Sequence, residues 1–89
     1  MMLPMLRPLA AGYRWNRSPG VRIFCFNYWT VAVLRPAPGG RVAGVVRWQG
    51  REHEFLAGSW RLAERWVERW VAARDDFPGG DRLRRRLRR

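Results

Sequence analysis

The hydrophobic and polar positions of this chain change period once, near Gly58. Before that point the pattern suits strands, and after it a helix. Val21 to Arg35 reads VRIFCFNYWTVAVLR, dense in β-branched and aromatic residues that fit a pleated surface. The run is long for one strand, so a turn or bulge near Asn27 and Tyr28 divides it into two. Pro36, Ala37, Pro38, Gly39 and Gly40 predict a loop.

Arg41–Trp48 predicts a strand, Gln49-Gly50 a two-residue hairpin loop, and Arg51–Leu56 the return strand. A two-residue loop fixes the register. Trp48 then pairs with Arg51, Arg47 with Glu52, Val46 with His53, Val45 with Glu54, and Gly44 with Phe55. The pairing sets Arg47 opposite Glu52 as a charge pair and the smallest residue opposite a large one, both favourable.

Ser59 is a good N-cap for a helix from Trp60 to Arg74, WRLAERWVERWVAAR. Ala63, Val67 and Trp70 follow i, i+4, i+7, and Trp60, Leu62, Trp66 and Val71 widen the apolar arc to about half the circumference. Arg61, Glu64, Arg65, Glu68 and Arg69 fill the other half. The quartet Glu-Arg-Trp-Val occurs at 64–67 and again at 68–71, which stacks tryptophans on one side and glutamates on another. Such a stripe either packs on a sheet or meets a partner. The first reading expects Ala63, Trp66, Val67 and Trp70 to be buried.

The ends carry different material. Pro4, Pro8, Gly12, Pro19 and Gly20 predict an irregular basic-aromatic arm over residues 1–20. Its first twelve residues lack the basic start of an export signal, and Pro4, Arg7 and Pro8 interrupt their apolar stretch. Asp75 to Gly80 ends the helix, and residues 78–89 form an Arg-rich tail with too little apolar content to hold a helix against its own repulsion. The expected fold is therefore α+β: a small antiparallel sheet of three to four strands covered on one face by a single amphipathic helix, over residues 21–77, with a basic N-terminal arm and C-terminal tail. At 89 residues there is material for one core.

Charge now changes the picture. The chain has 18 arginines, no lysine and seven acids, for a formal net charge of +11. No acid precedes Glu52, so residues 1–51 carry eight arginines with none to offset them. GC-rich codon usage would produce Arg in place of Lys without selection for guanidinium chemistry, but it does not account for a missing acidic half. A chain so unbalanced attracts polyanions, with nucleic acid first among them.

Catalytic material is scarce. Cys25 and His53 are the only residues of their kinds, so an internal disulfide and a cysteine-based zinc site are excluded, and no local motif makes the two a dyad. Strand alternation sends His53 to the face opposite Glu52 and Glu54. His53 reads as a partly buried sheet residue. No enzyme activity, metal or cofactor is expected.

The basic residues fall into three groups. Arg14, Trp15 and Arg17 lie in the arm. Arg22, Arg35 and Arg41 lie in the sheet, near Phe24, Phe26, Tyr28, Trp29 and Trp48. Arg82, Arg84, Arg85, Arg86, Arg88 and Arg89 form the tail. Arginine beside aromatic rings is what phosphate contact and base stacking require. The leading expectation is a non-enzymatic, cytoplasmic accessory protein that binds DNA or RNA largely without sequence preference. The alternative is a small structural subunit that docks on a larger protein complex through an aromatic face and basic ends. A lesser reading is attachment to an anionic membrane surface through the tail. No apolar run approaches the roughly 18 residues of a transmembrane segment.

Gly50, Arg51, Phe55, Ala63 and Trp66 add a topological likeness. About three antiparallel strands followed by one amphipathic helix, over residues 29–74, resembles the arm-binding N-terminal domains of tyrosine recombinases. The resemblance implies a sheet laid in the DNA major groove. Glu52 and Glu54 on the outer sheet face depart from it, because they would repel phosphate.

Overall fold

A computed structural model describes residues 12–74 of the chain. Five strands run in order: β1 (Tyr13–Ser18), β2 (Val21–Phe26), β3 (Trp29–Ala37), β4 (Arg41–Trp48) and β5 (Arg51–Ala57). The helix α1 (Trp60–Ala72) follows. Each strand pairs antiparallel with the next, giving one meander of order β1-β2-β3-β4-β5. The fold is α+β, as the pattern predicts. No helix among the described residues is long and apolar enough to cross a membrane.

Five strands replace the expected three or four. The extra one is β1, inside the segment read as an irregular arm. Tyr13 and Trp15 alternate with polar residues there and pair with Phe26 and Phe24 of β2. The turn between the two strands is Pro19-Gly20, with Gly20 at φ 76°. Proline followed by a glycine of positive φ is the signature of a type II turn. Residues 1–11 and 75–89, which include the rest of the arm and the whole predicted tail, lie outside the described residues.

The division near Asn27 and Tyr28 stands: β2 ends at Phe26 and β3 begins at Trp29, with Asn27 at φ 53°. The predicted loop from Pro36 is shorter than expected. Pro36 belongs to β3 and pairs with Val42, and only Pro38–Gly40 forms a 3-10 turn. The β2 ladder on the other side of β3 stops at Arg22 and Leu34, so Pro36 has no strand there asking for its missing N–H.

The β4–β5 register is the one the sequence predicts, from Trp48↔Arg51 to Gly44↔Phe55. Gln49 and Gly50 both take positive φ, 52° and 82°, as a type I′ hairpin requires. Ser59 accepts a hydrogen bond from the Leu62 backbone N–H at 3.1 Å and caps α1.

The helix packs on β3, β4 and β5. Phe24, Ala32, Leu34, Val42, Val46 and Trp48 meet Ala63, Val67 and Val71 in the core. A register shift at Phe24/Cys25 breaks the alternation, so Phe24, Cys25 and Phe26 are all buried in succession. The expectation for the helix needs correction at two places. Trp66 is 37% exposed, and Trp70 is only half-buried, because both sit on the flank of α1 rather than beneath it.

Candidate nucleic-acid interface

Three of the arginine and tryptophan positions read as nucleic-acid contacts turn inward to the helix. Glu64 of α1 is 9% exposed, and its carboxylate accepts from Arg17 at 3.1 and 2.7 Å and from Arg22 at 2.7 Å. The Arg22 guanidinium also lies 4.7 Å from the centre of the Trp60 ring. One turn along α1, Glu68 accepts from the Trp15 indole N–H at 2.7 Å. The hydrogen bond from Arg17 holds the Glu64 carboxyl below its usual range, against the opposing effect of burial, and Arg22 adds to it. The same bond raises Arg17. These contacts tie β1 and β2 to the helix.

The aromatic residues of the sheet also face inward. Phe24, Phe26 and Trp48 are buried in the core, so they offer no stacking surface on the outer face. Tyr13 stacks on Phe24 at 5.2 Å and meets Phe26 at a tilt at 4.8 Å, and burial pushes its hydroxyl pKa up to about 12. Tyr28 alone of the predicted group is fully exposed, at the β2–β3 turn.

Arg14, Arg35 and Arg41 are exposed. The outer sheet face, however, is mixed in sign and apolar at its centre. The row Asn16–Ile23–Val33–Val45–Glu54 crosses all five strands. A groove there is lined by Val33, Ala43, Val45 and Leu56, with Arg35, Arg47, Glu52 and Glu54 around it. Arg47 donates to Glu52 at 2.9 Å.

A third surface is not mixed in sign among the described residues. Alternation along β5 puts Arg51, His53, Phe55 and Ala57 on the helix side, where they pair with Trp48, Val46, Gly44 and Val42. His53 is exposed rather than partly buried, and its ring lies 5.1 Å from that of Trp70. Trp70 meets Trp48 edge-on at 5.6 Å and runs nearly parallel to Trp66 at 6.3 Å. Trp66 stacks on Phe55 at 3.9 Å. The Arg74 guanidinium sits 3.1 Å from the Trp70 ring centre and donates to the Trp70 carbonyl at 2.6 Å. Burial lowers the Arg74 pKa from its ordinary value.

Beside this aromatic stack runs a shallow groove between β5 and α1. Leu62, Arg65, Trp66, Arg69, Trp70 and Arg74 line it, together with two alanines. Among the described residues no acid lines it. The tandem quartet places Glu64 and Glu68 toward β1 and leaves Arg65 and Arg69 beside Trp66. That arrangement is readable from the repeat, whereas charge density alone points to the six-arginine tail. Arg82, Arg84, Arg85, Arg86, Arg88 and Arg89 lie outside the described residues.

Comparison with protein families, with curated proteins and with solved structures finds no match for this chain.

Proposed function

We propose that this protein is a non-enzymatic accessory protein that binds nucleic acid through guanidinium–phosphate contacts, largely without sequence preference. The observation that carries the reading is the separation of charge. Among the described residues there are eleven arginines and four glutamates. Glu64 is engaged by Arg17 and Arg22, Glu68 by Trp15, and Glu52 by Arg47. Arg61, Arg65 and Arg69, at i, i+4 and i+8 of α1, are exposed and have no carboxylate partner among the described residues. Arg14, Arg35, Arg41 and the six arginines after Asp81 would add further phosphate contacts. Each such contact releases a condensed counterion, which supplies affinity and no base information.

The test is a titration of the full chain with unrelated oligonucleotides across a salt series. Affinity should be similar for different sequences and fall linearly on a log–log plot against salt, by about 0.9 per phosphate contact on duplex DNA. Truncation after Gly80 should flatten that slope. Absence of binding to any nucleic acid at low salt would remove the proposal.

The uncovered outer face favours a second reading, the subunit of a larger assembly. Its centre is aliphatic rather than aromatic: Ile23, Val33, Ala43 and Val45 are half-buried and Leu56 is 58% exposed. A contiguous apolar patch rimmed by charge is what protein interfaces present. On that reading Val33→Asp abolishes association with a protein partner and leaves nucleic-acid affinity unchanged.

A further inference from the structure

We infer that the groove between β5 and α1 is a single-strand site, in which an unpaired base stacks on Trp66 while Arg65 and Arg69 hold the flanking phosphates. The inference rests on the nucleic-acid reading and makes it specific to one surface and one form of the ligand.

Trp66 is the exposed member of an ordered stack. Phe55 supports it at 3.9 Å with an interplanar angle of 22°, and Trp70 lies nearly parallel to it at 6.3 Å. Phe55 is itself fixed against the backbone of Gly44. The indole is therefore held in place before any ligand arrives, so little rotamer entropy is lost on binding. Its 37% exposure leaves ring surface for a partner. An indole face is sequence-tolerant, because every base has a π surface.

Among the described residues that line the groove, the charges beside it are of one sign. Arg65 and Arg69 are exposed on the adjoining ridge of α1, and Glu52 and Glu54 point to the opposite face of the sheet. This pairing of cations with an exposed ring selects among polyanions. A duplex keeps its bases stacked inside and offers only phosphate to such a groove. A single strand offers phosphate and base faces together. An anionic lipid surface would use the arginines, but it has no planar ring to stack face to face on a supported indole. The outer sheet face offers no such pairing, since carboxylates stand beside its arginines and the aromatic residues of the sheet are in the core.

The experiment compares a fluorescently labelled oligo-dT strand of about 20 nucleotides with a mixed-sequence duplex of equal length, using the full chain. Loss of one base stack should weaken oligo-dT binding by Trp66→Leu about tenfold while duplex binding changes little. Trp66→Phe, which keeps an aromatic face, should retain most of the affinity. Arg65→Gln with Arg69→Gln should weaken both ligands and lower the single-strand salt slope by about 1.4. Leu56→Ala, on the outer face, serves as the control and should leave both affinities unchanged. Circular dichroism and thermal melts establish that each variant is folded. Should Trp66→Leu fail to fold, photocrosslinking of the unaltered chain to bromouridine-containing single strand replaces it, with the adduct expected within α1. An adduct confined to other segments, or equal loss for strand and duplex in Trp66→Leu, overturns the single-strand site and leaves the general nucleic-acid reading intact. No binding to either ligand at low salt overturns both.

Discussion

The ring of Phe55 occupies the place where a β-carbon on Gly44 would stand. The two are cross-strand neighbours in the β4–β5 ladder, and Gly44 is buried. A methyl group built there would overlap the Phe55 ring and lie 2.9 Å from Leu34 Cδ2. Gly44 is not at positive φ, so its requirement is for space rather than for backbone freedom. Gly44→Ala should therefore destabilise the fold by about 1–3 kcal/mol, as overpacking does. Denaturant unfolding measures this. In a double-mutant cycle Phe55→Ala should relieve part of the Gly44→Ala penalty, because it empties the contested space. Strict additivity would mean the two do not share it.

Glu64 organises the other side of the molecule. Glu64→Gln removes the charge that two guanidinium groups share and leaves Arg17 and Arg22 close together. The expected loss is about 1–3 kcal/mol, the scale of a buried charged hydrogen bond. Arg17 is half-exposed, so solvent screening places the value toward the lower end. Chemical denaturation of the two proteins at neutral pH gives the difference directly. A loss below experimental error would show that β1 is held by Tyr13 and Trp15 packing alone.

The same carboxylate sets a pH dependence. Its folded pKa lies below the unfolded value of about 4.3, chiefly through the Arg17 hydrogen bond and then through Arg22. Between the two values the unfolded chain binds more protons, so stability rises with pH there. The contribution is complete above about 4.3 and is lost as pH falls through the folded value. The Tm difference between the native chain and Glu64→Gln should thus be constant near neutrality and narrow in acid. A difference that widens on acidification contradicts the arrangement.

The parts of the fold legible in the sequence are those where local signals agree. In the β4–β5 hairpin, turn chemistry, the Arg47–Glu52 pair and the Gly44–Phe55 size match all fix one register. In α1, the Ser59 cap and the apolar period agree on the start. β1 is harder to read because Gly12, Pro19 and Gly20 flank it closely, although Pro19-Gly20 is itself a turn between two strands and Tyr13 and Trp15 alternate correctly. The candidate interface is hidden for another reason. Charge counting marks Arg17 and Arg22 as available, yet both are consumed by a glutamate more than forty residues away in the chain. No local pattern announces such a partner. Conversely, a helical stripe cannot say which of its edges remains uncovered, so Trp66 reads as core until the width of the sheet beneath it is known.

Trp70 decides how much of the aromatic flank is structural. It is half-buried and touches Trp48, His53, Trp66 and Arg74, with its ring sandwiched between core and guanidinium. A fully buried tryptophan costs about 3–5 kcal/mol on truncation to alanine. Partial exposure reduces the area lost from the interior, so Trp70→Ala should cost about 2–3 kcal/mol. Part of that loss comes through Arg74, whose guanidinium rests on the ring while it donates to the Trp70 backbone carbonyl at the helix end. Arg74→Ala alone should cost about 1 kcal/mol, from one charge-assisted hydrogen bond and one cation–π contact. In the Trp70→Ala background it should cost less, because only the backbone contact remains to be lost. Unfolding measurements on the four proteins of this cycle give the coupling. A coupling near zero would place Arg74 on the helix terminus alone, with the Trp70 ring contributing nothing to its position.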